Sequence, residues 1–397
     1  MAITERVLLA GDFPERPPLV VGGIQAVTWQ LANAVAKVGD FEVHAASCER
    51  YWQTAPPARR WRRRLEGCTA HYQRSPRRLP HVVCAWTTDA EYVRAQIRAV
   101  RPRLVHAHGQ SGYAIGAIRS GVPHVVTPHG MLAHEKRAPV GAAALSGERL
   151  REALWRRTED WCLARARHVI VISPYVRELI APRTRGRLHE IPNPVDPDFF
   201  ELERVEQAEP VLLTVGWLNA RKRHELIIAA LGLVRERVPG VRLRIVGNVE
   251  GGDERQLTRL RRLTAELGLS EAVQFLHRVS QQELLEEYRR ASVYVHAAAE
   301  ESSPVAVAQA MAAGLGLCAV EIPGLRHMLQ PDLTGVFARE PTPAGLARAL
   351  VDVLSERSVA RSLGARARSD ARASFHPASV GARTTELYHE VIAEAAC

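Results

Sequence analysis

Lysine is nearly absent from this chain. Of its 53 basic residues only Lys37, Lys136 and Lys222 are lysines, and the rest are arginine. Set against 43 acidic residues, they leave a formal charge of +10. A basic sum admits a nucleic acid, an anionic membrane face or a phosphorylated substrate, and does not choose among them. A GC-rich genome would leave the same arginine bias with no function attached. Cysteine is also sparse and scattered: Cys48, Cys68, Cys84, Cys162, Cys318 and Cys397 form no CxxC pair. That argues against a structural zinc site and a disulfide framework, and makes a reducing, cytoplasmic compartment the default. No run of 18 apolar residues exists, so no membrane-crossing helix is expected. The opening MAITERVLLAGDF lacks a basic stretch followed by a long apolar one, so no secretory signal is expected. What is present is ordinary for folded protein, with 46% hydrophobic and 24% charged residues over a length of 397. That length suggests two or three domains.

Short apolar strands alternate with longer amphipathic helices. Strands are predicted at Arg6–Ala10, Glu42–Ala46, Val82–Trp86, Leu104–Ala107, Val125–Thr127, His168–Ile172 and Leu188–Ile191, with a helix over about Gln25–Val38. Such alternation builds a parallel sheet covered by helices on both faces. The proline-rich IPNPVDPDFF then interrupts it as a linker. A second series follows, with strands at Val211–Val215, Arg242–Val246, Val273–Leu276, Val293–His296 and Leu317–Val320. The reading is two doubly wound α/β domains, 1–195 and 196–375, and a helical tail over 376–397 that could pack back on the first domain. In such sheets ligands sit at the carboxyl ends of strands, and two such faces would make a cleft between the domains.

The one dense charge run is Arg59–Arg64, within ARRWRRRLEG, with Arg74, Arg77 and Arg78 soon after. It reads as a solvated loop or helix face, or as a contact with anionic lipid or an anionic acceptor; Trp52 and Trp61 lean towards an interface. Peripheral contact with the inner membrane face therefore stands beside the cytoplasmic default. No nucleic-acid module surrounds the run, so nucleic acid is not expected as a partner.

Several segments carry chemistry. Gly22 and Gly23 lie between the first strand and the first helix, where main-chain N–H groups and the helix N-terminus suit a phosphate. The segment is not GxGxxG, so a dinucleotide fingerprint is not supported. His106-Ala107-His108-Gly109 and Thr127-Pro128-His129-Gly130 end strands. His106 and His108 read as structural, His129 as facing a substrate, and no third ligand with convincing spacing supports a metal. Arg221-Lys222-Arg223 places three cations at a helix start, which is costly unless an anion is bound there. In Glu300 to Gly314, ESSPVAVAQAMAAG follows Glu300: an acidic residue enters a turn before a small-residue helix whose first N–H groups are free. Asp196-Pro197-Asp198 spells DxD, but its place in the linker reads as structural.

Together these segments resemble a retaining glycosyltransferase of the GT-B fold, family 4, in the group 1 class. The resemblance rests on GGI at 22–24, HAHG at 106–109, PHG at 128–130, IPNPVD at 191–196, VGWLNARK at 215–222 and ESSPVAVAQAMAAG at 301–314. It implies an α/β architecture of two Rossmann-like parallel-sheet domains facing an interdomain cleft, the first for acceptor and the second for donor. It implies that Gly22 and Gly23 approach the donor diphosphate and sugar, that His129 lies beside the transferred sugar, and that Lys222 binds the diphosphate. Arg278 and Val279 match the loop holding the nucleobase, and Glu301 matches the first glutamate of E-x7-E, on the donor sugar. Ser303, Pro304 and Val305, through Val307, match the segment whose amides meet phosphate. Gln309 stands where the second glutamate contacts ribose.

Three positions depart from the pattern. Trp217 replaces a phosphate-binding arginine, for which Arg221 or Arg223 could substitute. Gln309 replaces a charged glutamate but still offers a carbonyl acceptor. Pro323-Gly324-Leu325-Arg326-His327 replaces GG-x-x-E. The implied reaction moves a hexose from a UDP- or GDP-sugar co-substrate to an unidentified acceptor hydroxyl on a glycan, lipid-linked or natural-product acceptor, with neither metal nor other cofactor. The alternatives are a sugar-nucleotide epimerase of the same architecture and a non-catalytic sugar-nucleotide binder.

Overall fold

The computed structural model describes residues 5–17, 22–49, 59–76, 80–131, 146–249, 254–277 and 279–396. The chain divides into two units, Met1–Pro194 with Pro377–Cys397, and Val195–His376.

The first unit is built on β1 (Glu5–Ala10), β2 (Phe41–Glu49), β3 (Arg60–Leu65), β4 (Cys68–Arg74), β5 (Leu104–His108), β6 (His124–Thr127), β7 (His168–Val171) and β8 (Arg187–Glu190). Their order is β3-β4-β2-β1-β5-β6-β7-β8. Every pairing is parallel except β3 with β4. The central strands read as continuous apolar runs because helices bury both their faces: β5 and β7 are buried throughout. β1 lies between β2 and β5, so the strand order reverses at β1, and a crevice opens at the carboxyl ends of β1 and β5.

Two expectations are corrected here. Val82–Trp86 is not a strand: His81–Cys84 is helical and Ala85–Asp89 continues as a π-helical turn. Short apolar runs do not distinguish strand from buried helix, and here Pro80 stands at the N-cap, its carbonyl accepting from the Val83 and Cys84 N–H groups at 3.0 Å. The Arg59–Arg64 run is neither loop nor helix from Arg60 onward, but the edge strand β3. There the period-2 alternation leaves Arg60, Arg62 and Arg64 exposed. On the other face Trp61 stacks on Tyr72 at 5.4 Å and Arg63 pairs with Glu15 at 2.9 Å.

The last helix, Pro377–Glu394, belongs to the first unit and lies against the helix Gly23–Val38. Gly381 permits the approach, since a Cβ there would come within 2.8 Å of the Ala34 carbonyl oxygen. Tyr388 is wholly buried, edge-on to Phe41 at 5.9 Å.

The second unit carries β9 (Val211–Val215), β10 (Arg242–Val246), β11 (Val273–Leu276), β12 (Val293–His296), β13 (Gly316–Val320) and β14 (Val336–Ala338). All are parallel, in the order β11-β10-β9-β12-β13-β14. This is the doubly wound order, and its reversal falls between β9 and β12. The segments leaving those two strands, 216–223 and 297–304, carry the motif residues.

Candidate functional site

In the second unit, β9 leads through Gly216 and Trp217 into a short 3-10 turn, Ala220–Lys222. Asn219 caps that turn by accepting from the Lys222 N–H at 3.1 Å. Gly216 leaves room for the lysine stem: a Cβ there would stand 3.1 Å from Lys222 Cε. The Lys222 ammonium donates to Glu301 Oε1. Arg221 Nη1 reaches the same oxygen at 3.0 Å and donates to the Glu300 carbonyl at 2.7 Å. Two cations thus converge on one buried carboxylate at the switch point. Burial alone would raise the Glu301 pKa, but the charges of Lys222 and Arg221, with His296, pull it down to about 2.

Arg223 serves a different purpose from its neighbours. Its backbone is left-handed, with φ 48°. Its guanidinium donates to the carbonyls of Ala297 at 2.6 Å and Ala298 at 3.0 Å, fixing the exit of β12. Past Glu301, Pro304 starts the helix Val305–Ala312 with no side-chain cap. The first-turn N–H groups of that helix have no intrahelical acceptor, so Val305 and Ala306 offer donors near Ser303. Gln309, buried in this helix, accepts from Tyr288 Oη at 3.2 Å. Val279 packs on the apolar cluster beneath the site, and Arg278 lies outside the described residues.

The first unit gathers its motif residues at the ends of β5 and β6. His108 Nδ1 lies 2.9 Å from His129 Nε2, with the rings stacked, and His106 stacks on His108 at 4.2 Å. His106 is held on both sides, by Tyr388 Oη and by Thr127 Oγ1, each at 2.6 Å. Burial keeps this row neutral. It draws the pKa of His106 to about 3 and of His129 to about 4, and that of His108 well below the ordinary value. His129 is the partly exposed member, while His106 and His108 are buried. Gly22, with φ 94°, turns the chain into the helix that Gly23 opens. Thr28 of that helix donates to the Asp12 carbonyl at 2.6 Å, tying the glycine turn to the end of β1.

Asp196 of the DxD triplet caps a 3-10 turn by accepting from the Asp198 N–H at 3.0 Å, and also accepts from Gln281 at 3.2 Å. Among the described residues no group of three His, Cys, Asp or Glu is placed to hold a metal ion.

Sequence reasoning missed three residues, His296, Tyr288 and Tyr388, and the packing role of Gly324. His296, the last residue of β12, is buried beside the Glu301 cluster, and its pKa is lowered to about 3 by burial and by Lys222. Its place at a strand's carboxyl end was the available signal. Gly324 packs so closely on the Glu301 main chain that no Cβ fits. Tyr288 and Tyr388 lie 21 and 282 positions along the chain from Gln309 and His106, the residues they contact, and nothing local marks them.

The chain resembles known proteins along most of its length. Residues 196–370 match the family described as Glycosyl transferases group 1, and residues 21–199 match Glycosyltransferase Family 4. The D-inositol 3-phosphate glycosyltransferase of Nocardia farcinica is 30% identical over 310 residues, 73% of this chain and 67% of the relative. The enzyme of that name from Streptomyces scabiei is 28% identical over 337 residues, covering 78% and 73%. Among solved structures, sucrose-phosphate synthase from Thermosynechococcus elongatus superposes with a TM-score of 0.82 at 22% identity, covering 98% of this chain and 100% of that one. Anabaena HepE in complex with UDP-glucose gives 0.73 at 16% identity, covering 97% and 99%.

Proposed function

The chain belongs to the group 1 glycosyltransferases, with the GT-B fold, and from that premise we propose that it moves a hexose from a UDP-sugar to an acceptor hydroxyl with retention of anomeric configuration. The observation that carries the donor reading is the convergence of Lys222 and Arg221 on Glu301 at the foot of the helix Val305–Ala312. A sugar-nucleotide transfer concentrates negative charge on the leaving diphosphate. Preorganised cations and free main-chain N–H groups are what such a leaving group needs, and this kind of electrostatic stabilisation is often the largest single term in catalysis. Glu301 serves twice in this reading. It holds the two cations in place before the donor arrives, and its second oxygen accepts from hydroxyls of the donor sugar.

His129, kept neutral by burial, presents a ring nitrogen without a fixed charge beside the sugar, and the row His108–His106 sets its orientation. Gly22 and Gly23 bring main-chain N–H groups towards the diphosphate. Gln309 shares its carbonyl oxygen with Tyr288, so a ribose hydroxyl meets chiefly its amide N–H donors. No step requires a metal ion, because Lys222, Arg221 and the helix amides supply the positive charge. UDP is favoured over GDP because HepE, of the same fold, is seen with UDP-glucose. The relatives' names make a phosphorylated polyol, D-inositol 3-phosphate, the first acceptor to test. The epimerase reading is not favoured, since both matched families and both relatives are transferases. Peripheral contact with anionic lipid rests on the exposed Arg60, Arg62 and Arg64 along β3; among the described residues no helix is long and apolar enough to cross a membrane.

Thermal unfolding with a panel of UDP-, GDP- and ADP-hexoses tests the donor reading. A UDP-hexose at about 100 times its Kd is expected to add about 2.7 kcal/mol of stability and raise Tm by several degrees. If no nucleotide sugar shifts the transition, the reading fails.

A further inference from the structure

The second unit carries another basic site, away from the donor residues. We propose that a cavity of about 560 Å³, lined by Arg204, Arg361, Arg368 and Arg372 with Glu206 and Gly314, binds a phosphate-type anion. Its place in the sheet separates it from Lys222 and Glu301. Arg204 donates to the carbonyl of Gly314, which precedes β13, at 2.9 Å. It also donates to the carbonyls of Ala291 and Ser292, which precede β12. The cavity therefore lies at the amino ends of these parallel strands, whereas the donor residues follow the carboxyl ends of β9 and β12.

Three of the arginines come from the helix Arg357–Phe375 at positions 361, 368 and 372, a spacing that keeps them on one face. The arginines of the cavity outnumber their carboxylate partners. Arg361 pairs with Glu206, and Arg372 with Glu201 at 3.1 Å. Arg204 and Arg368 donate only to main-chain carbonyls, those of Phe200 and Leu202 in the case of Arg368. Neither has a carboxylate partner among the described residues, so carbonyl dipoles fix both cations in place without cancelling them. Arg204 Nε is buried with no acceptor. Burial, and then repulsion from Arg361, lower the Arg204 pKa to about 10.

Clamping residues 200–206 to the helix would account for the carbonyl bonds, but not for four guanidiniums gathered round one cavity at the cost of mutual repulsion. A bound anion relieves that repulsion. Guanidinium forks match phosphate oxygens in pairs, and the volume admits a phosphate ester together with part of its carrier. The same chemistry is presented by a free phosphorylated metabolite and by an anionic lipid headgroup.

Two probes distinguish the sources: inorganic phosphate by calorimetric titration, and co-sedimentation with phosphatidylglycerol vesicles against phosphatidylcholine vesicles. Ala365 and Ser369 line the cavity from exposed helix positions, so Ala365→Glu and Ser369→Glu each bring a carboxylate to it without disturbing the core. Each is expected to weaken phosphate or phosphatidylglycerol binding at least about tenfold, at unchanged far-UV circular dichroism. Lys222→Ala, which alters only the donor site, is expected to leave that binding intact. Phosphate binding without vesicle binding assigns the site to a free ligand, and phosphatidylglycerol binding lost in Ala365→Glu assigns it to a headgroup. The proposal is overturned if the native chain binds neither probe, if both glutamate variants bind as the native chain does, or if Lys222→Ala alone abolishes binding.

Discussion

Lys222→Ala is expected to lower kcat/KM for the nucleotide-sugar donor by about 10²–10³-fold, the range seen when one preorganised electrostatic contact to a developing charge is removed. The reason lies in the cluster itself. Lys222 and Arg221 both point at Glu301 Oε1, so the lysine is already desolvated and aimed before any donor binds. Its loss removes charge stabilisation from the leaving diphosphate and also leaves Glu301 buried with one cation in place of two. A hydrogen bond to a charged group contributes roughly 2 kcal/mol, so a moderate loss of stability should accompany the loss of activity. The two effects separate by pH. Glu301 is held down to about 2 against a reference of 4.5, so its contribution is complete above pH 4.5 and is lost as pH falls towards 2. In Lys222→Ala the folded value rises towards 4.5, so the window over which stability is lost narrows and the acid-dependent loss is smaller. Steady-state kinetics with saturating acceptor, together with urea melts at pH 7 and pH 4, check both parts. A variant within threefold of native kcat/KM would remove Lys222 from the donor site.

The first unit should be acid-labile well above the range of its carboxylates. Burial lowers the pKa of His106, His108 and His129, and also of His44, His71, His124, His168 and His189. An unfolded chain takes up protons on these rings below their reference value of 6.5, while the folded unit resists down to about 3 for His106 and about 4 for His129 and His71. Their contribution to stability is therefore complete above pH 6.5 and declines as pH falls through the folded values. Each proton taken up on unfolding adds a slope of about 1.4 kcal/mol per pH unit. With several rings involved, stability should drop steeply between pH 6.5 and pH 4.5. Urea melts followed by tryptophan fluorescence across that range would show it, and the fall should be shallower in His106→Gln, which removes one such ring. A flat profile would mean that these histidines are not held neutral in the fold.

Much of this site was legible because it is punctuated by local signals. Strands of four or five apolar residues announce the two sheets, and the residues that follow β9, β12 and β6 carry the motifs. That Lys222 and Glu301 meet across 79 positions follows from the reversal of strand order, which brings the carboxyl ends of β9 and β12 together. What escaped depends on conformation or on distant partners. Three consecutive cations look equivalent in sequence, yet the left-handed backbone of Arg223 turns its guanidinium to Ala297 and Ala298. Val82–Trp86 has strand composition, but the chain after the Pro80 N-cap folds as helix and then as a π-helical turn. The arginines of β3 reveal their alternation only once β4 is known to pair with them. Tyr388 supports His106 from 282 positions away, at a separation over which no periodicity carries information.

The proposed reaction transfers a sugar from a nucleoside-diphosphate donor and keeps the donor's anomeric configuration. Proton NMR of the product formed from a UDP-α-hexose and D-inositol 3-phosphate, or another hydroxyl compound that serves as acceptor, distinguishes retention from inversion. An α-linked product, with the small anomeric coupling of the donor and UDP released in equal amount, is the predicted result. A β-linked product, or a nucleotide sugar epimerised without any acceptor, would contradict it.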